Sequence, residues 1–100
     1  MLIYNVTVKV ETGIEAQWVQ WMKTEHIPQV LATGCFTGHK MLKLISEPAT
    51  DGVTYAIQYF VQDANTLNSY VETHAPELRK AAEDRYKGRF VSFRTVLEEV

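Results

Sequence analysis

The tripeptide His-X-Pro occurs twice, as His26-Ile27-Pro28 and His74-Ala75-Pro76, and the same offset of 48 residues (26 to 74) carries the first half of the chain onto the second. Each copy follows a segment that reads as a helix. A proline cannot donate to the carbonyl four residues back and its ring crowds that carbonyl, so each helix must bend or restart at the same place. Two strand-helix-strand halves, each with a titratable group beside a helix break, are therefore expected. Leu2–Val10 opens the first half with strict alternation: Leu2, Tyr4, Val6, Val8 and Val10 on one face, Ile3, Asn5, Thr7 and Lys9 on the other. Thr12-Gly13 ends it. Ile14, Trp18, Trp21, Met22 and Glu25 then form a stripe at helical spacing, and a last apolar turn at Val30-Leu31 runs to Thr33-Gly34.

Phe36–Ser46 reads as a second strand, with Met41, Leu42, Leu44 and Ile45 apolar, and Pro48, Asp51 and Gly52 mark a loop. Val53–Gln62 alternates again as a third strand. Asp63 or Asn65 caps a second helix, whose stripe is Leu67, Tyr70, Val71, His74, Leu78, Ala81 and Ala82 and which Gly88 ends. Arg89–Glu98 is the fourth strand. The order β-α-β-β-α-β with right-handed crossovers gives a ferredoxin-like α+β fold: a four-stranded antiparallel sheet with two helices on one face. With 100 residues, the chain is expected to be one domain, residues 1–100.

Composition removes several function classes. Net charge is −2 and no basic block appears, so a nucleic-acid footprint is absent. No apolar run approaches the roughly 20 residues of a membrane span. The first ten residues read as a strand rather than a signal peptide, which points to the cytoplasm. Cys35 is the single cysteine, which excludes an intrachain disulfide and a cysteine metal cluster. No His, Asp or Glu spacing matches a metal site, and no glycine-rich phosphate loop occurs.

With both helices on one face, the other face of the sheet must meet water or a partner. It is assigned Ile3, Asn5, Thr7, Met41, Ala56, Gln58, Phe60, Ser92, Arg94 and Val96. Ile3, Met41, Phe60 and Val96 are more large apolar groups than a solvated face carries, so a homodimer is expected, sheet against sheet, with Gln58 and Arg94 bonding across it. His39, on the second strand, is expected to face solvent or the partner.

The segment from Trp18 to Gly34, with Trp21-Met22, Glu25-His26-Ile27-Pro28 and Ala32-Thr33-Gly34-Cys35-Phe36, resembles the aromatic-rich helix and His-X-Pro of EthD-like proteins among the dimeric α/β barrels. Together with Ile3–Val10 and Tyr55-Ala56-Ile57-Gln58-Tyr59-Phe60, it makes the chain similar over its full length to the family DUF4286. The resemblance implies the fold and a dimer. The wider superfamily includes cofactor-free monooxygenases, lactone isomerases and haem-degrading enzymes, and a fold shared by so many chemistries does not choose among them.

The candidate chemistry centres on Glu25 and His26. By helical counting Glu25 lies mid-stripe against Trp18 and Trp21, where desolvation would raise its proton affinity, and His26 lies on the flank near Val19 and Met22. Tyr4, Tyr55, Tyr59, Trp18 and Trp21 are core residues by pattern, yet also suit the wall of an amphipathic pocket. The expected site is a small pocket between Trp21, Glu25, His26, Tyr4 and Tyr59, in which His26 shuttles a proton for a small organic substrate with no bound cofactor. The competing reading is a non-catalytic dimeric binding or assembly module, with His26 and Glu25 merely ending the helix. A third rests on the resemblance alone. Haem-degrading relatives place a histidine on the second helix and an asparagine on the first strand, roles that His74 and Asn5 fit, although the tryptophan those enzymes need at the start of the second helix is missing.

Overall fold

β1 (Leu2–Val10) runs through the middle of the sheet and sets its architecture. The structure, a computed structural model, describes residues 1–48 and 51–100; residues 49 and 50, within the expected loop, lie outside it. After β1 come a 3-10 turn (Thr12–Ile14), α1 (Glu15–Trp21), a π turn (Met22–His26) and α2 (Ile27–Ala32). β2 (Gly38–Lys43) and β3 (Val53–Val61) follow, then α3 (Ala64–Thr73), α4 (Ala75–Tyr86) and β4 (Phe90–Glu98). The strand order is β2-β3-β1-β4 and every pair is antiparallel, the ferredoxin-like arrangement. Among the described residues no helix is long and apolar enough to cross a membrane.

The core forms where the alternation of β1 and β3 meets the helical stripes. Tyr4, Val6, Val8 and Val10 lie opposite Tyr59, Ile57, Tyr55 and Val53. Above them pack Ile14, Trp18, Trp21, Met22, Ile27 and Val30 from the first helical layer, and Leu67, Tyr70, Ala75 and Tyr86 from the second. Trp18 lies 5.1 Å from the Tyr55 ring, and the Tyr55 hydroxyl donates to Glu15 Oε2 at 2.6 Å, which ties α1 to β3. Asp63 caps α3, its Oδ1 accepting from the Thr66 N–H at 2.8 Å. Gly34 and Gly88 take φ of 77° and 75° where the helical segments end, a conformation that costs glycine little.

The two helices meet their prolines differently, and only the second restarts as expected. The first stays helical through Pro28, but the Ile27 N–H bonds the Met22 carbonyl five residues back. This widened turn falls directly before Pro28 and takes up the crowding that a regular α-helix would place on the Thr24 carbonyl. The second breaks outright at His74, φ −111°, and α4 restarts with Pro76 in its first turn. The expected stripe of the second helix is corrected accordingly. Val71 is exposed, and the inward row continues through Ala75, Leu78 and Ala82 to Tyr86.

The open sheet face is also corrected. Residues opposite each other in an antiparallel pair share a face, and a shift of one residue exchanges the faces. Arg94 lies opposite Val6, Ser92 opposite Val8 and Val96 opposite Tyr4, while Met41 lies opposite Ile57. All four therefore belong to the helix side and not to the open face. Ile3, Asn5, Thr7, Ala56, Gln58 and Phe60 do occupy the open face, joined by Leu42 of β2 and by Val91, Phe93, Thr95 and Leu97 of β4. There Asn5 Nδ2 donates to Thr7 Oγ1 at 3.1 Å and Thr95 Oγ1 at 3.2 Å.

Ile57, fully buried at the centre of β3, is the residue on which this packing most directly bears. Ile57→Ala is expected to cost about 2–5 kcal/mol, read as a lower midpoint in urea unfolding with an unchanged slope.

Candidate functional site

Between the helices and the sheet, on the β1–β4 side, lies a cavity of about 50 Å³. Tyr4 and Tyr59 rise into it from β1 and β3, and Ser92 and Arg94 from β4. Trp21 and His26 close it from α1 and the π turn, Tyr70 from α3, and Arg79 from α4. Trp21, His26, Tyr4 and Tyr59 were expected together, and the structure brings them together. Glu25 and His74 are not among the lining residues.

The π turn decides between Glu25 and His26. Residues five apart are about 140° apart around an α-helix, whereas a turn bonded i to i+5 brings them almost onto one side. His26 is thereby stacked on Trp21, ring centroids 4.8 Å apart and planes 27° apart. Glu25 is turned out to solvent, so the expected desolvation against the two indoles does not occur. Trp21 is held in turn by the edge of Tyr86 at 5.5 Å, and the Arg85 guanidinium lies 5.8 Å over its indole.

His74 sits at the junction of α3 and α4 and lines a separate shallow groove with Gln29, Thr33, Glu77, Leu78 and Ala81. Asn5 points to the opposite side of the sheet. The two do not bracket a common volume, so the residues expected to serve a haem do not fit one. His39 is exposed on β2, opposite Tyr59. Among the described residues, no three His, Cys, Asp or Glu side chains converge as metal ligands.

Arg79, Tyr70, Ser92 and Arg94 also line the cavity and were missed. Arg79 lies four residues after Ala75 and three before Ala82, a cation within an apolar stripe, which was its signal. Tyr70 was visible in its stripe but not as a pocket residue. Arg94 was assigned to the wrong side because both rows of β4 carry apolar residues. Arg79 Nη2 donates to the Tyr4 hydroxyl at 3.1 Å, and Arg94 Nη1 donates to Ser92 Oγ at 3.4 Å.

His26 Nδ1 is buried and has no hydrogen-bond partner among the described residues. Burial, with a smaller push from the Arg94 charge, lowers the imidazole to about 4, so at neutral pH it is an uncharged base. Burial raises the Tyr59 hydroxyl far above its usual range, the neighbouring Tyr70 and Tyr4 adding to the effect and Arg94 opposing it. Tyr70 is raised to about 12, by burial first and then by Tyr4. Both phenols therefore stay protonated and can act as donors.

This gives a pH prediction. The folded His26 binds its proton less readily than the unfolded residue, whose pKa is about 6.5. The unfolded state then holds more protons between pH 6.5 and 4, so this contribution to stability is complete above pH 6.5 and is lost as pH falls toward 4. The loss is on the order of 3 kcal/mol, from about 1.36 kcal/mol per unit. Urea unfolding of the parent and of His26→Gln across this range should show the slope shrinking in the variant.

The family model described as "Domain of unknown function (DUF4286)" matches residues 1–100. A search of curated proteins finds no match. Among solved structures, the chain is similar to an ethyl tert-butyl ether D (EthD) family protein from Bacillus halodurans C-125, with TM-score 0.71, 13% identity and 100% of both chains covered. It is similar to a dimeric ferredoxin-like protein from an uncultured marine organism, with TM-score 0.69, 10% identity, and 100% of this chain and 95% of that chain covered. SnoaB, a cofactor-independent oxygenase from Streptomyces nogalater, aligns with TM-score 0.67 and 12% identity over 99% of this chain and 93% of its own. At such identities the likeness shows the fold and not the activity. The full-length match, on a ferredoxin-like sheet with a His-X-Pro helix, makes this chain a member of the DUF4286 family.

Proposed function

We propose that the protein binds a small organic molecule in the cavity beneath Trp21 and that His26 takes a proton from it, with no bound cofactor. The observation that carries this reading is the buried Nδ1 of His26 beside the cavity, which has no hydrogen-bond partner among the described residues. A neutral imidazole with a free lone pair is the form a general base needs. The proton passes to Nδ1, and the electron pair stays on the carbon or oxygen of the substrate. The Tyr59 and Tyr70 hydroxyls and the two guanidiniums are positioned to stabilise the charge left behind. SnoaB, a cofactor-independent oxygenase, shares the fold, which is compatible with cofactor-free chemistry on this framework. A space of about 50 Å³ holds a few waters, so a substrate enters only as lining side chains shift.

Deuterium incorporation into 1,3-dicarbonyl and polyphenol carbon acids, followed by NMR in D2O, tests the proton transfer. Exchange should fall about a hundredfold or more in His26→Gln while the melting temperature stays close to the parent. Equal exchange in the two proteins would sink the reading.

The small volume of the cavity also favours a second reading, a non-catalytic dimeric module. Under either one we propose that a second copy of the chain covers the open sheet face through Ile3, Asn5, Gln58 and Phe60, with the β4 residues Val91, Phe93 and Leu97. Val91 is 68% exposed and Phe93 61%, on the same face as Leu42 and Leu97, an apolar surface larger than an isolated subunit usually leaves in water. Light scattering should give twice the chain mass, and Phe93→Glu should return a monomer, because an isologous contact meets each substitution twice. A parent protein of monomer mass at micromolar concentration excludes the dimer.

A further inference from the structure

Resting on the reading that this cavity holds a ligand, we infer that the ligand is an organic anion, an aromatic carboxylate, received by Arg94 inside the cavity and Arg79 at its mouth. The first ground is charge. The chain carries 12 acidic and 10 basic residues, yet the cavity is lined by two arginines and a histidine and by no Asp or Glu. Among the described residues the ion pairs use Lys9, Lys43, Lys80 and Arg89, and none uses Arg79 or Arg94. Arg94 is half-buried, and among the described residues its side-chain hydrogen bond is a long one, to Ser92 Oγ at 3.4 Å. A guanidinium so placed is short of a counter-charge, and it presents the planar fork that a carboxylate fits.

The second ground is hydrogen-bond polarity. The Tyr4 oxygen already accepts from Arg79, which leaves its O–H to donate elsewhere. Tyr59 and Tyr70 remain protonated phenols. The polar atoms available to a ligand are thus mostly donors, which matches a group with only acceptors. The third ground is shape. Trp21, Tyr4, Tyr59 and Tyr70 offer ring faces and edges to a flat organic body, so the charged end lies toward Arg94 and the ring among the aromatics.

A consequence concerns His26. The charged and titratable groups around the cavity are Arg94 on β4, Arg79 on α4, Tyr70 on α3, Tyr59 on β3 and Tyr4 on β1. A bound anion offsets the Arg94 charge that opposes protonation of His26. Binding and protonation are therefore linked, and the imidazole titrates at higher pH when the site is filled.

The test uses benzoate and its neutral isostere benzamide, followed by NMR at the Trp21 indole and the His26 ring at pH 7. Benzoate should bind at least tenfold tighter than benzamide and raise the His26 titration point. Arg94→Gln should abolish that preference. Arg79→Gln, whose exposed side chain gives up only its hydrogen bond to the Tyr4 hydroxyl, should weaken it several-fold and keeps the test open if Arg94→Gln does not fold. Benzamide binding as tightly as benzoate, or a preference unchanged in both variants, overturns the anion and leaves the cavity reading standing. If neither compound moves the cavity signals at millimolar concentration, the inference falls, and proton transfer is then judged by the deuterium experiment alone.

Discussion

β1 is paired along all nine of its residues with β3 on one side and β4 on the other, so its phase decides which face each neighbouring residue takes. With Tyr4, Val6, Val8 and Val10 turned to the helices, β3 must present Tyr59, Ile57, Tyr55 and Val53 beside them. β4 must present Val96, Arg94, Ser92 and Phe90. The polar pair Ser92 and Arg94 is thereby carried under the helices, and Val91, Phe93 and Leu97 are carried outward. The cavity and the apolar outer face are two results of one register.

The duplicated His-X-Pro meets the same steric problem in both halves and solves it differently. Before Pro28 the helix takes in an extra residue and remains continuous, because Trp21, Met22, Ile27 and Val30 on either side are all buried and hold it to the sheet. Before Pro76 the inward-facing side chains are fewer and Val71 is exposed, so little opposes a break, and α4 starts afresh at Ala75. One histidine is consequently rotated beneath an indole and desolvated. The other is left at a junction on the outside of the helical layer. Pseudo-symmetry in sequence has become asymmetry in environment.

Desolvation is what makes His26 chemically distinct. Its ring stacks on Trp21 beside the cavity, and its buried Nδ1 has no hydrogen-bond partner among the described residues. The nearby Arg94 acts in the same direction, and the phenols of Tyr59 and Tyr70 keep their protons for the same reason of burial. At neutral pH the cavity therefore holds an uncharged imidazole among protonated phenols and two guanidiniums, and the proposed proton transfer rests on that arrangement.

The alternation of β1 and β3, the stripes that start at Ile14 and Leu67, the Asp63 cap and the glycine-ended helical segments are all local patterns, and they were enough to determine the ferredoxin-like fold from the chain itself. They also placed Tyr4, Tyr59, Trp21 and His26 near one another, since period and element order fix which faces meet. The faces of Met41, Ser92, Arg94 and Val96 were decided only by tertiary pairing, because β2 and β4 carry apolar residues in both rows and their phase comes from partners far along the chain. That Glu25 leaves the expected pocket while His26 stacks under Trp21 was likewise beyond a fixed 100° count. A single i to i+5 turn, retained because the helix is anchored on both sides of it, rotates the one outward and the other in.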